Sequence, residues 1–320
     1  MRILVTGASG FLGLNLVRHL AVTHPQAAIL GVDLYPPCEY ELRDAFGRVE
    51  FERLDIREAQ SCVDLLRRAQ PTHLLHAAAV TLPGSDPDSA TFAVNYHGTI
   101  NVLEAAVAST SVKQCVILSS SGVYSQHADG PCDEDHPLDL SGAYARTKRQ
   151  AELRMAALEA TGGFPVVAAR VGPVYGRFER SRSTRPRVSM IKRLLDALAE
   201  GRELRIAGTD FHRDWTHAQD IAAALDALLF TPALPHRIYN VSAGESLSAR
   251  AIIALLIEHG LKVRWTHDAD PADLRLDPRE SRKPLVIARL ERDTGFHPRF
   301  NLRAGLADLA ATHPEETAHA

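Results

Sequence analysis

The chain has 320 residues, 45% of them hydrophobic and 23% charged, with a formal net charge of −3. That length supports a large core or two unequal lobes around one cleft, and the charge balance excludes a global attraction for nucleic acid or an anionic membrane. Cys38, Cys62, Cys115 and Cys132 are scattered with no C-x-x-C pair, which argues against a zinc knuckle or disulfide framework and for free thiols in a reducing compartment.

The chain opens on MRILVTGASG, which lacks the long apolar run and small-residue cleavage site of a signal peptide. No apolar run approaches the about 20 residues of a bilayer span. A cytoplasmic protein without a membrane partner is the expectation. Read onward, RILVTG predicts a buried strand, GFLGLNLVRHLAVTH a helix, AAILGVDL a second strand and VEFERLDI a third. REAQSCVDLLRRA follows as a helix, THLLHAAA as a strand, TFAVNYHGTINVLEAAVAS as a long helix and KQCVILSS as a strand. After a helix that begins near residue 141 comes the strand FPVVAARVG. Strand and helix alternating at this spacing imply β-α-β units with right-handed crossovers, hence a doubly wound parallel α/β sheet of Rossmann type.

Beyond residue 175 the pattern loosens. The arginine-rich GRFERSRSTRPRVS reads as a loop, MIKRLLDALAEG as a helix, ELRIAG as a short strand and FHRDWTHAQDIAAALDALL as a segment ending in a helix that returns to the sheet. The organisation expected is a dinucleotide-binding domain over residues 1–175, with 214–242 returning to it. A smaller substrate lobe comes from 176–213 and 243–305, and 306–320 form a loose tail.

Gly7, Gly10 and Gly13 stand between the first strand and first helix at G-x-x-G-x-x-G spacing. Glycines there let the backbone turn tightly and approach a pyrophosphate, whose charge meets amide N–H groups and the positive helix end. Asp33 closes the second strand, where a carboxylate accepts from adenosine ribose hydroxyls and repels a 2′-phosphate. NAD is therefore favoured over NADP.

In SGAYARTKRQAE, Tyr144 and Lys148 lie one helical turn apart and share a face. The chain has five lysines against thirty-one arginines, so a lysine at this place asks for a reason. TGASGFLG, LDIRE, HAAA, NYHGTINVLEAA, SSSGVY, YARTK and RDWTHAQD occur in the order and near the spacing of extended short-chain dehydrogenases/reductases. Over residues 1 to about 305 the chain resembles this group of nucleotide-sugar epimerases and dehydratases. The resemblance implies that Tyr144 moves the proton of a substrate hydroxyl, while Lys148 holds the nicotinamide ribose and, with the cationic ring, lowers the tyrosine pKa. It implies cofactor contacts from Gly7, Gly10, Phe11, Leu12, Gly13, Asp33, Asp55, Ile56, Ala77, Ala78, Ala79, Asn95 and Val171. Counting back four residues from Tyr124 selects Ser120 as the hydroxyl partner; a one-residue shift promotes Ser121. Asn95 matches a residue that shapes the cofactor site, although a buried helix Asn satisfied by backbone is an equal reading.

Two departures narrow the chemistry. The dehydratases of the family carry Asp-Glu after the catalytic Thr, and decarboxylating relatives a Glu; here Ser121 and Gly122 stand in those places. Where nucleotide-sugar enzymes often show R-x-x-N, this chain has Arg170 and Gly172, with no amide after the arginine. Arg213, and Arg275 or Arg279, resemble the family's phosphate-gripping arginines, and guanidinium forks suit phosphate or carboxylate equally. Arg177, Arg180, Arg182, Arg185 and Arg187 add to an anion funnel or form a solvated loop. The fifteen histidines show no ligand spacing with carboxylates, so no metal is expected.

The function these readings imply is a nucleotide-sugar 4-epimerase that passes through a keto intermediate. The alternative is a net NAD-dependent dehydrogenase or reductase of a free sugar, sugar acid or other anionic alcohol. The small-molecule substrate is a sugar nucleotide or an anionic sugar. The resemblance also implies a homodimer built from the helices over 86–109 and 141–161.

Overall fold

The computed structural model describes residues 1–37, 48–81, 90–161 and 164–317, with side chains described as far as Leu309. Cys38 and the expected helix start at 86–89 lie outside the described residues. The first half alternates β1 (Arg2–Thr6), α1 (Phe11–Thr23), β2 (Ala28–Asp33), β3 (Val49–Arg53), α2 (Ala59–Ala69) and β4 (His73–His76). The long helix is α3 (Ala90–Phe92), continued by a π-helical stretch (Ala93–Gly98) into α4 (Thr99–Ser109). Then come β5 (Gln114–Ser120), α5 (Ala143–Ala160), β6 (Val166–Val171) and the two-residue β7 (Val174–Tyr175). The second part holds α6 (Met190–Ala199), β8 (Leu204–Gly208), β9 (His212–Arg213), β10 (Thr216–His217), α7 (Ala218–Phe230) and β11 (Ile238–Val241). It ends with β12 (Leu247–Ser248), α8 (Ala249–Glu258), β13 (Val263–Trp265), β14 (Leu274–Leu276), α9 (Ala288–Thr294) and α10 (Leu302–Thr317).

Seven strands pair in the order β11-β6-β5-β4-β1-β2-β3, and every pairing is parallel. Both faces are covered, which is why the inner strands read as unbroken apolar runs rather than alternating ones. Ile3 and Val5 pack toward α1 and α7, whereas Leu4 packs with α2, α4 and α5 on the other face. This is the period of two expected of a strand. The doubly wound sheet is thus as expected, with β11 added at an edge as a strand too short to stand out from its surroundings in the sequence.

A second hydrophobic cluster belongs to the smaller part of the chain. There α6 and α8 pack on the three-stranded sheet β13-β8-β14 through Ile191, Leu194, Ile252, Leu256 and Ile206. Leu302, Leu306 and Leu309 join this core from α10. The expectation of a loose tail from residue 306 is corrected here: three leucines at helical spacing bury one face, and that burial holds the helix in place.

Parallel strands all end at the same edge of a sheet. The carboxyl ends of β1, β4, β5 and β6 therefore open together onto one crevice. In open sheets of this kind, ligands bind where the strand order reverses, between β1 and β4.

Candidate active site

The turn after β1 is built for close approach. Gly7 has φ +70°, and a Cβ there would lie 2.5 Å from the Ala78 nitrogen; one on Gly13 would lie 2.0 Å from the Gly7 carbonyl oxygen. Only glycine fits either place without moving the backbone. Gly10 precedes α1 as its cap and has no side chain to bond there, so the first-turn N–H groups of Phe11, Leu12 and Gly13 keep their donors for a ligand. The buried Ser9 hydroxyl beside them has no hydrogen-bond partner among the described residues. At the end of β2, the Asp33 carboxylate accepts the Ser9 N–H at 3.0 Å. Burial pushes this carboxyl above its usual range, with the Ser9 and Tyr35 N–H bonds opposing the rise. Polar atoms held toward a cleft with spare bonding capacity, and glycines that a side chain would displace, fit a dinucleotide with its pyrophosphate over the turn.

Two cavities meet over this turn. One, about 490 Å³, is walled by Asp33, Asp55, Ile56, Ala77, Ala78 and Ala79. The other, about 420 Å³, extends past Ala77 and Val171 to Ser120, Tyr144 and Lys148. Gly7, Gly10, Arg182 and Thr184 line both. Thr184 is drawn in by its carbonyl, which accepts the Thr81 N–H at 2.9 Å. The arginine loop therefore leans over the crevice: Arg180, Arg182, Arg185 and Arg187 line the second cavity, and Arg177 does not. Asn95 spends its amide on the backbone of Val80, accepting from N–H at 2.8 Å and donating to the carbonyl at 2.9 Å. It shapes the wall through Val80 and is not itself among the lining residues.

Strand alternation sorts the three serines. Ser119 turns inward and donates to Glu152 at 2.6 Å, whereas Ser120 hydrogen-bonds Tyr144. Ser121 starts a short 3-10 turn, where its carbonyl accepts the Tyr124 N–H. Tyr144 is half-buried. Burial raises its pKa, while the Ser120 bond and the Arg185 charge pull it down. Lys148 is buried with Nζ donating to the Leu118 carbonyl at 2.8 Å, and it lies 5.7 Å from the centre of the Tyr144 ring. Burial lowers its pKa to about 8, against the opposing charge of Glu152.

A third cavity, about 840 Å³, opens on the other side of Tyr144 and includes Gly122, Arg279, Arg282 and Lys283 in its wall. Of the three arginines expected to grip the substrate, only Arg279 reaches it. Arg213 donates to the Glu280 carbonyl at 2.7 Å and pairs with its carboxylate at 2.9 Å. Arg275 donates to the Asp268 and Asp270 carbonyls. Neither lines any of the three cavities; Arg279 does, although its guanidinium also forks onto the Asp277 carboxylate, with Nη2 2.7 Å from one oxygen. The sequence motifs do not single out Arg282 and Lys283, although both sit in the same RLDPRESRK stretch; which of its cations face inward depends on the loop's path. Gly172 lines the second cavity, and the R-x-x-N spacing counted from Arg170 falls on the next residue, Pro173, which has no side-chain amide. Among the described residues no group of three or more His, Cys, Asp or Glu stands ready to hold a metal ion, and no helix is long and apolar enough to cross a membrane.

The model of the NAD dependent epimerase/dehydratase family matches residues 3–242. The chain belongs to this family. It is an enzyme of the extended short-chain dehydrogenase/reductase type. GDP-6-deoxy-D-mannose reductase of Pseudomonas aeruginosa is 30% identical, over 98% of this chain and 99% of that protein. A dTDP-glucose 4,6-dehydratase of Streptomyces griseus is 28% identical, over 97% and 93%. Among solved structures, MoeE5 in complex with UDP-glucose and NAD has a TM-score of 0.78 at 27% identity, covering 99% of this chain and 100% of that one. A UDP-glucose-4-epimerase of Stenotrophomonas maltophila with bound NAD, at 22% identity, shares the fold, with a TM-score of 0.83 and 100% of both chains covered.

Proposed function

We propose that the protein acts on a nucleotide sugar as an NAD-dependent epimerase, oxidising and re-reducing one ring hydroxyl, most simply at C4, within a single turnover. The observation that carries this reading is the meeting of Ser120, Tyr144 and Lys148 at the junction of the glycine-lined cleft with the large cavity. NAD, when bound, supplies a hydride acceptor and a positive ring. Ser120 orients the sugar hydroxyl, Tyr144 Oη takes its proton as the carbonyl forms, and the same proton returns on reduction. Lys148, still largely an ammonium at neutral pH, keeps positive charge beside the phenol and so favours its ionised form. Gly7, Gly10, Gly13 and the first turn of α1 hold the pyrophosphate, and Asp33 the adenosine ribose. Asp55, Ile56, Ala77, Ala78, Ala79 and Val171 form the walls.

Arg279, Arg282 and Lys283 supply the cations for a sugar's diphosphate, or for a sugar carboxylate. Dehydration is disfavoured because Gly122, placed beside Ser120 with its N–H donating to Ser120 Oγ at 3.0 Å, offers no acid or base. A homodimer across α4 and α5 belongs to the proposal, supported by Leu153, 54% exposed on α5.

A second reading is net reduction or oxidation, favoured by the likeness to the deoxymannose reductase and by the absence of an amide at Pro173. Incubation with NAD and a panel of nucleotide sugars and sugar acids separates the two. Epimerase action gives inverted product with no lasting change in nicotinamide absorbance. Stoichiometric NADH release rejects it in favour of net oxidation, stoichiometric NADH consumption in a parallel incubation with NADH and keto sugars rejects it in favour of net reduction, and inactivity in both incubations rejects both readings.

A further inference from the structure

Three contacts tie α5 to the end of β5 like rungs. Tyr144, Lys148 and Glu152 are spaced one turn apart on a single helix face. They meet, in turn, the Ser120 hydroxyl, the Leu118 carbonyl at 2.8 Å and the Ser119 hydroxyl at 2.6 Å. The first two rungs belong to the chemistry already described. The third does not, and it is the most elaborately built.

Glu152 has no exposed side-chain surface. Arg170, from the next strand β6, grips its carboxylate twice, Nε to one oxygen at 2.9 Å and Nη2 to the other at 2.8 Å. Arg149 adds a bond at 3.0 Å. Arg170 in turn donates to the Glu134 carbonyl at 3.1 Å and lies 4.9 Å from the centre of the Tyr124 ring. Buried ion pairs are weak evidence for stability, because a packed apolar pair serves as well. One held in this geometry directly behind the reacting groups points to another role.

We propose that Glu152 is a positioning residue for the reaction: it fixes the Ser119–Ser120 strand end against α5 and holds the charge of Lys148 in place. The charged and titratable groups around Lys148 are Tyr144 and Glu152 on α5, His76 on β4 and Arg170 on β6 behind Glu152, with Arg185 facing Tyr144 from the loop. Among these Glu152 is the anion whose charge acts on Lys148, and it favours the ammonium. The proposal rests on the assignment of Lys148 to the cofactor ribose.

Glu152→Gln tests it, since the amide keeps the volume and loses the charge. The first readout needs neither substrate nor NAD. The Nζ of 15N-labelled lysine is followed by NMR; there are only five lysines in the chain, and the signal missing in Lys148→Arg identifies Lys148. The expected midpoint falls by at least one pH unit in Glu152→Gln. The second is NAD affinity, expected to weaken about threefold at pH 7.5 for a one-unit fall of the midpoint and to recover toward wild type at pH 6, where Lys148 is mostly protonated in both proteins. An unmoved Lys148 midpoint overturns the proposal, and so does an affinity loss equal at both pH values, the mark of a merely structural role. Should Arg170 without its anion prevent folding, Glu152→Gln combined with Arg170→Gln carries the same two readouts, and the same outcomes support or overturn the proposal. Ser119→Ala leaves both charges and is expected to lower turnover severalfold at unchanged KM and pH profile; unchanged turnover overturns the strand-end part. Failure of the underlying reading looks different, because it shows as wild-type protein that does not bind NAD at all.

Discussion

Tyr144 is asked to do something its surroundings resist. Burial raises its pKa, and the opposing influences are the Ser120 hydroxyl and the Arg185 charge. To take the substrate proton the phenol must first lose its own, so in the proposed reaction the phenolate depends on the positive charge of Lys148 and of the nicotinamide ring when NAD is bound. Tyr144→Phe removes one oxygen and no packing. It is expected to lower turnover by about 10²–10⁴-fold with NAD affinity within a factor of two, read by kinetics and by calorimetric titration; full turnover would end the assignment. Gly13→Ala tests the other end of the crevice. Its Cβ would sit 2.0 Å from the Gly7 carbonyl, so the turn must shift, and NAD affinity is expected to fall at least tenfold in protein that still unfolds cooperatively. Of the proposed residues, Ser120 was reached in the sequence through its distance from Tyr124, and the period of two in a strand explains its placement: with Ser119 facing Glu152, Ser120 lines the crevice. The arginines were not legible, since every one of them can make the same fork, and only the path of the loop decides that Arg279 and Arg282 line the large cavity while Arg213 and Arg275 do not.

At the scale of elements, the sheet was readable because both-faces-covered strands leave unbroken apolar runs, whereas β11 spans only Ile238–Val241 and the two-residue strands leave no run at all. Contacts between elements were not readable, and His76 shows why they matter. It stands at the end of β4 between β1 and α4, with Nδ1 2.7 Å from Thr6 Oγ1 and Nε2 2.8 Å from Thr99 Oγ1. Thr99 already donates to the Asn95 carbonyl, so its oxygen accepts from Nε2–H, and Nδ1 is left to accept from Thr6. This neutral ring clips three elements together. Burial, with the Lys148 charge adding, lowers its pKa to about 3, below the value of about 6.5 it has in the unfolded chain. The unfolded state therefore binds the proton first: the stability is fully present above pH 6.5 and is lost as pH falls from there toward 3. Between pH 7 and pH 5 this group should cost roughly 2 kcal/mol. Urea unfolding at the two pH values checks it, since His76→Gln is expected to be the less stable protein at pH 7 but to lose less on acidification, by about that amount. Equal losses in both proteins would remove His76 as the acid-sensitive clip.

For the molecule as a whole, the question is how the smaller part of the chain is kept in register with the sheet that carries the chemistry. α10 supplies an answer that composition did not suggest, because its sequence is not strongly amphipathic and its burial depends on where β8 and α8 put their apolar faces. Leu302, Leu306 and Leu309 enter the second core. Just before them, Phe300 stacks on His217 with ring centres 4.2 Å apart, and the Phe300 N–H donates to Asp220 of α7 at 2.9 Å. Gly305 has no room for a side chain, as a Cβ there would lie 2.1 Å from the Tyr175 hydroxyl. The helix and the residues leading into it thus touch α7, β7 and the second core at once. Leu306→Ala deletes a side chain only 2% exposed and is expected to cost about 2–4 kcal/mol in urea unfolding. The location of the damage is the sharper test. If α10 binds the two parts into one cooperative unit, the variant unfolds in a single transition shifted to lower urea. A second, early transition that leaves NAD binding intact would instead show that the sheet stands by itself and that α10 serves only the smaller core.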